Sequence, residues 1–478
     1  MPIEKVFEFD PDEGIALTQA NLYSKGIINS HLQSWSDQPP LFPILISKYL
    51  DFFSIHISNA RILTLLFATL LIWSFGQILR LSVGKSTAII TIFLLIISIN
   101  FLRLSVSVMK AIPCLSLGML SIYFSILYTL NLQRHWLILS GIILALSLQI
   151  KMIMIFLMPI IIIYLLISSY EISLPGLKNI STPNIVNLLK SPISIWLFSL
   201  STVFITIGLI TQSLNLEKIL LFHLSPNLKD NFSTHNSFQD VIYIYLQNFD
   251  ALLLSLLGCK YQNATEKDIN NTFQKHIYKI PVSWLIIITI IFLKHKPIWY
   301  HYIILISVPL IWLSAYGIKE VLEQLKLVKI QQYQFSKFAL FTICFTLLVI
   351  PVKLGVIQWE NHSFIQKSSV RFANLERILS YKNQSQWLFT DIGMYGFYSQ
   401  LNIPPEITVI SRKRLGSGTL KSDFLIKVLE KYQPEQILIN RFPHLADLIK
   451  PYVEKYYQEI YTDKSTKHYL KNDIQKIP

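Results

Sequence analysis

The sequence predicts an all-α polytopic transmembrane bundle carrying a small C-terminal α/β domain outside the membrane. Three observations lead there. The 478 residues are 52% hydrophobic and only 15% charged, with a mean hydropathy of +0.46. A soluble domain needs no such excess of apolar side chains. Apolar runs close to the ~20 residues that cross a hydrocarbon core recur along the chain. After about Trp359 the composition turns to that of an ordinary mixed domain.

The chain divides into residues 1–58, an acidic extracytoplasmic loop with juxtamembrane helices; 59–358, the spans; and 359–478, the soluble domain. Ten spans are expected, centred on Asn59–Leu81, Thr87–Leu104, Ala111–Leu130, Trp136–Ile150, Met152–Ser168, Ile193–Gln212, Val241–Gly258, Val282–Leu293, Trp299–Ile318 and Phe338–Gly355. Gln247, Asn248 and Asp250 make Val241–Gly258 equally readable as an interfacial helix. Val282–Leu293 is short and must extend into its flanks or tilt. Leu41–Phe53, interrupted by Lys48 and Asp51, reads as a juxtamembrane helix started by Pro39-Pro40. No hydrophobic segment precedes Asp10, so a helix upstream of this sequence is expected.

The soluble region shows two short buried strands, Trp387–Asp391 and Gln436–Asn440. Between them Ser422 is placed to cap a helix running to Tyr432, with Phe424, Leu425, Val428 and Leu429 on one face. The basic turn Arg412-Lys413-Arg414-Leu415-Gly416-Ser417-Gly418 is expected to be solvated.

The formal charge is +14. The cations are spread through loops, as headgroup contact requires, and nucleic acid is not the expected partner. Basic residues in short loops put the N-terminal stretch and the C-terminal domain outside a plasma or inner membrane. Cys114, Cys259 and Cys344 show no metal or redox spacing. There is no glycine-rich phosphate loop and no His-Glu-x-x-His, which argues against a nucleotide-driven pump or a membrane metalloprotease.

The residues that suit chemistry crowd one rim of the bundle. Asp12 and Glu13 are expected in a loop, where Pro11 and Gly14 stop a helix from absorbing them. A carboxylate held there suits a general base; a solvated acidic N-terminus is the alternative. Asp37 and Gln38 are fixed by Pro39-Pro40. Arg61, near the start of the first span, calls for a carboxylate or a phosphate. Lys110 and Lys151 each separate two apolar runs. Lys296, Tyr300 and His301 belong to the basic-aromatic run 294–302, which suits a phosphate headgroup or an ordinary interfacial belt. Asp10-x-Asp12 makes a divalent cation conceivable as a cofactor, but two carboxylates alone are a weak signal.

These residues resemble the GT-C class of membrane glycosyltransferases, on its protein-mannosyltransferase-like and aminoarabinose-transferase-like branch. Asp12-Glu13 is similar to the acidic pair of that class. Asp37-Gln38-Pro39-Pro40-Leu41 with Ala60-Arg61-Ile62-Leu63 resembles a second signature. Lys296-Pro297-Ile298-Trp299-Tyr300-His301-Tyr302 with Pro309-Leu310 resembles a late basic-aromatic segment. Two features depart from the pattern: the span that normally precedes the acidic pair is absent, and Gln38 stands where some relatives carry a phosphate-binding lysine.

The resemblance implies a sugar moved from a polyprenyl-phosphate donor to the hydroxyl of a lipid, glycan or protein acceptor, with inversion. Asp12 would be the base and Glu13 would orient it or the acceptor. Lys296, His301, Arg61, Lys110 and Lys151, in falling order of preference, would stabilise the leaving phosphate. A lipid-linked sugar flippase, a catalytically inactive scaffold on the same fold, and a polysaccharide polymerase or ligase are the competing readings. The spans are nearly free of Asp and Glu, which disfavours a transporter.

Overall fold

The computed structural model describes residues 10–36, 38–173, 191–214, 236–264, 270–329 and 337–474, and the statements below concern these. The chain starts with a helix, not a loop. α1 (Pro11–Ser24) has Pro11 in its first turn, and the Asp10 side chain accepts from the Asp12 and Glu13 backbone N–H groups. Proline at that point lacks only an N–H that has no helical partner, so it starts a helix instead of stopping one. The loop expected around Asp12 and Glu13 is therefore corrected to an N-capped first turn. Gly14 does not break the helix either. A Cβ there would lie 2.7 Å from the Met394 backbone nitrogen, so the glycine allows a close approach of two backbones.

α2 (Leu41–Phe52) follows Pro40 as anticipated, and α3 (Ile57–Val83) is the first long span. The expected span Thr87–Leu104 is bent by 73° between α4 (Lys85–Ile96) and α5 (Ile99–Ser105). Ser98 takes extended dihedrals at the break. α6 (Ala111–Asn131) and α7 (Arg134–Ile150) form a hairpin. Hydroxyls of Ser121, Ser125 and Ser140 bond across it, and Trp196 Nε1 donates to Ser140 Oγ. Such contacts, with small residues at the crossing, hold helices together where lipid supplies no hydrophobic drive.

A 3₁₀ turn over Met152–Phe156 leads into α8 (Leu157–Ser173). α9 (Pro192–Ile210) follows. The expected span Val241–Gly258 is also broken: α10 (Ser237–Gln247) and the first part of α11 (Phe249–Ala264) meet at 76°. Lys353 Nζ reaches the buried Asp250 at 2.6 and 2.8 Å just past that break. α12 (Asn270–Lys294) extends well beyond the twelve-residue core read from the sequence. α13 (Ile304–Lys329) packs closely on α11, since a Cβ on Gly317 would run into the Leu254 carbonyl oxygen.

α14 (Lys337–Ser380) is one continuous helix of 44 residues. It passes straight through the boundary drawn at residue 358. Among the described residues six helices are long and apolar enough to span, or eight with each bent pair counted once. Ten were expected, two of them the bent pairs. The other two segments, Arg134–Ile150 and Met152–Ser168, are apolar but shorter.

The soluble domain is built on β1 (Leu388–Thr390) and β2 (Gln436–Ile439), both buried throughout. Around and between them lie α15 (Gly393–Ser399), α16 (Arg412–Gly416) and α17 (Ser422–Tyr432). α18 (Leu445–Tyr456), β3 (Tyr457–Thr462) and β4 (Lys467–Lys471) complete it. The sheet order is β1-β2-β4-β3, with β1 and β2 parallel and the other pairs antiparallel.

Ser422 opens α17, but its hydroxyl donates to the Leu448 carbonyl and does not cap the helix. The turn expected to be solvated is α16, and its Arg414 is buried. That guanidinium donates to the Glu406 and Val409 carbonyls and lies 4.2 Å over the Trp35 ring. A second junction joins α15 to α1, where Thr18 Oγ1 donates to the Gly393 carbonyl. These contacts seat the soluble domain over the N-terminal segment.

Candidate active site

The first turn of α1 sends its carboxylates to different places, because neighbouring helical residues point about 100° apart. Glu13 is fully buried. It receives Arg61 Nε at 2.8 Å and a second guanidinium nitrogen at 2.7 Å, and the Val108 backbone N–H at 2.8 Å. Arg61 is itself fully buried. The expectation that Glu13 orients Asp12 or the acceptor is thereby corrected: its oxygens tie α1 to α3 and to the segment before α6. Of its two anticipated partners Arg61 takes the carboxylate, and it is fully enclosed.

Asp12 faces the other way and remains 49% exposed, with His301 Nδ1 3.5 Å from its carboxylate. Burial pushes the Asp12 carboxyl up. The hydrogen bond and charge of His301, with the charges of Lys151 and Arg441, outweigh that and hold it below the usual carboxylate range. Asp12 is therefore ionised at neutral pH.

Asp10 behaves oppositely. Burial first, then the charges of Asp12 and Glu13, raise its pKa to about 7 against the pull of its two capping N–H bonds. Tyr300 donates its hydroxyl to Asp10 at 3.2 Å, and Arg103 covers the Tyr300 ring at 4.4 Å. Asp10 is committed to the cap. Among the described residues no group of three or more His, Cys, Asp or Glu could hold a metal ion.

Lys151 is buried at the junction of α7 and the 3₁₀ turn, with its ammonium 4.4 Å over the Tyr302 ring. The C-terminal end of a helix favours a cation there. Gln38 Oε1 accepts from the Met152 backbone N–H at 3.2 Å. The side chain that replaces the expected lysine thus steadies the backbone right after Lys151. Lys110 opens α6 and is half-buried. Lys296 is exposed, so the residue ranked first for a phosphate lies on the surface. Asp37 lies outside the described residues.

Sequence reasoning missed the contribution of the soluble domain. Asp391, at the end of β1, accepts the backbone N–H groups of Asn440, Arg441 and Phe442 at 3.0, 2.8 and 2.6 Å. This clamp holds Arg441 at the end of β2. Pro11 and Ile15 of α1, with Thr390, Asp391, Gly393, Arg441 and neighbouring isoleucines, line a small recess. The carboxyl ends of adjacent parallel strands are where open α/β sheets place ligands. An Asp ending one predicted strand and an Arg just past the other was the available signal.

The chain is similar over nearly its whole length to two solved structures of ArnT from Cupriavidus metallidurans. The one bound to undecaprenyl phosphate has a TM-score of 0.62 at 11% identity, covering 98% of this chain and 94% of that one. The fold is the GT-C fold. The apo form of the same protein gives 0.61 at 13% identity, with the same coverage. Residues 37–200 match the family model of the dolichyl-phosphate-mannose-protein mannosyltransferases. No curated protein matches the chain in sequence. The resemblance read from the sequence holds at the level of this GT-C fold, and the chain is an integral membrane protein.

Proposed function

We propose that the protein is a membrane glycosyltransferase that moves a sugar from a polyprenyl-phosphate donor to an acceptor hydroxyl with inversion. One observation carries the reading: in a GT-C bundle, Asp12 is an ionised, half-exposed carboxylate held against His301 beside the buried cation Lys151. The match to the mannosyltransferase family model and the fold shared with an undecaprenyl-phosphate-binding protein support it. The active site and soluble domain face outward.

In this reading Asp12 takes the acceptor proton as the acceptor oxygen bonds to the anomeric carbon. The bond from that carbon to the phosphate oxygen breaks, and polyprenyl phosphate leaves with the electron pair. Lys151 meets the departing phosphate charge, replacing a general acid, and the His301 ring can offer it a hydrogen bond. Inversion follows from a single displacement. Retention would need a second carboxylate as nucleophile, and the two nearest are occupied: Asp10 by its cap and Tyr300, Glu13 by Arg61. Arg61 and Glu13 are the frame of the site. Lys296 plays no part in binding the phosphate.

The test is a deletion strain complemented with wild type or with Asp12→Asn. Mass spectrometry of lipid extracts should show a polyprenyl-phosphate sugar accumulating in the deletion and in the Asp12→Asn strain, and vanishing with wild type. General-base help is worth ~10²–10⁴-fold in rate, so Asp12→Asn should lose at least two orders of magnitude in transfer. Full clearance of the lipid by Asp12→Asn would end this assignment.

A further inference from the structure

The soluble domain does more than cover the site. We propose that Arg441 is a positioning residue for Asp12: by docking on α1, the soluble domain delivers the guanidinium that balances and orients this carboxylate at the mouth of the site. The inference rests on Asp12 being the base.

Three observations place Arg441 there. Its backbone is fixed by the Asp391 carboxylate, which takes three successive N–H groups. Arg441 and Pro11, the residue beside Asp12, line the same recess. The domain that carries Arg441 is registered on α1 by a contact that tolerates no side chain. A Cβ on Gly14 would meet the Met394 nitrogen at 2.7 Å, and one on Gly393 would meet the Gly14 carbonyl oxygen at 2.7 Å. The clamp, the shared recess and the glycine contact bring the soluble cation to the first turn of α1.

The side chain of Arg441 is itself lightly held. It lies 4.8 Å over the Phe442 ring and donates weakly to the Ile410 carbonyl at 3.5 Å. Burial lowers its pKa, and the charges of Asp12, Asp391 and Asp10 oppose that. Its electrostatic partners therefore include the two acids at the start of α1, across the domain junction.

The groups around Asp12 can be enumerated. Asp10 and Glu13 share its helix, and Glu13 is neutralised by Arg61. His301 and Tyr300 come from the turn before α13 and Lys151 from the end of α7. Lys48 and Asp51 of α2 pair with each other near Ser24, at the far end of α1. Among the described residues, Arg441 of the soluble domain acts on Asp12 directly, while Lys413 of the same domain acts on its neighbour His301. Removing the domain contact should therefore change the base while leaving the bundle cations in place.

The test reads Asp12 directly and needs no substrate. A water-soluble carbodiimide labels protonated carboxyls, and Asp12 is exposed enough to react. Peptide mass spectrometry of the full-length protein in detergent gives the pH midpoint of Asp12 labelling. Arg441→Ala should raise that midpoint by about half a pH unit or more, while Arg441→Lys stays near wild type. Gly393→Ala should raise it too, although it leaves Arg441 intact, because it lifts the domain off α1.

An unchanged midpoint in a folded Arg441→Ala protein overturns the proposal. If Arg441→Ala fails to fold, Arg441→Gln gives the same reading with less loss of packing. A shift in Arg441→Ala but none in Gly393→Ala overturns delivery through docking. The catalytic role of Asp12 is judged separately, by lipid accumulation in the Asp12→Asn strain.

Discussion

Changing Glu13 to Gln separates a structural acid from a chemical one. Glu13 and Arg61 are both fully buried and share two short hydrogen bonds, and the Val108 N–H supplies a third to Glu13. Gln keeps the shape but removes the charge, leaving the guanidinium buried without a counter-ion. Breaking a buried pair from one side costs about 3–5 kcal/mol. Asp12→Asn, at a half-exposed position, should cost no more than about 0.5 kcal/mol. Thermal unfolding in detergent, followed by tryptophan fluorescence, should show a clear loss for Glu13→Gln and almost none for Asp12→Asn. The double change Glu13→Gln with Arg61→Met removes both charges. It should recover part of the loss, with a coupling of roughly 0.5–3 kcal/mol. A Glu13→Gln protein as stable as wild type but unable to transfer sugar would refute this division of roles and restore Glu13 to the chemistry.

Other outcomes follow from the same geometry. Lys151→Ala should weaken undecaprenyl phosphate binding by roughly 10–100-fold, the worth of a charge-assisted hydrogen bond. Lys296→Ala should leave that binding unchanged, and calorimetry in detergent compares the two. The folded pKa of Asp10 is raised to about 7, by burial and then by Asp12 and Glu13. Below its unfolded value the acid is protonated in both states and costs nothing. As pH rises through about 7 the folded state must accept an unfavourable charge, so this part of the stability is lost. Asp10→Asn, which still caps α1, should flatten that decline in a series of melts against pH. Asp250→Ala should destabilise by about 3–5 kcal/mol by stranding Lys353, and adding Lys353→Met should restore much of it.

The fold was legible where one physical constraint dominates. Lipid demands long apolar runs, and every anticipated segment lies largely in helix. What composition could not show is continuity. The bends at Ser98 and Asn248 interrupt runs that stay apolar on both sides, and only packing decides whether a helix turns there. Pro11 misled because proline is read as a breaker, although at the first turn it is a starter. In the soluble domain the two most hydrophobic strands and α17 were visible. β3 and β4 were not: β3 is mostly half-buried or exposed, and β4 is five residues with lysines at both ends and His468 among its three buried ones, which gives no apolar run to read.

The site shows a second kind of limit. Asp12, His301 and Lys151 were all named from the sequence, because a charge at the rim of an apolar bundle stands out. Their grouping was not visible, and the first-ranked cation, Lys296, is exposed while the last-ranked, Lys151, is buried beside the acid. Charge density along the chain had favoured the run 294–302. Burial favours the lone lysine, because a single cation at a helix end can be enclosed and held against the Tyr302 ring. A dense basic run must stay partly in water. Arg441 was overlooked for the converse reason: in a soluble domain an arginine after a strand is ordinary. Only the Asp391 clamp and the Gly14–Gly393 contact turn it toward α1. Such a pairing of distant segments leaves no local trace, so a site built across a domain junction will be read from sequence only on its membrane side.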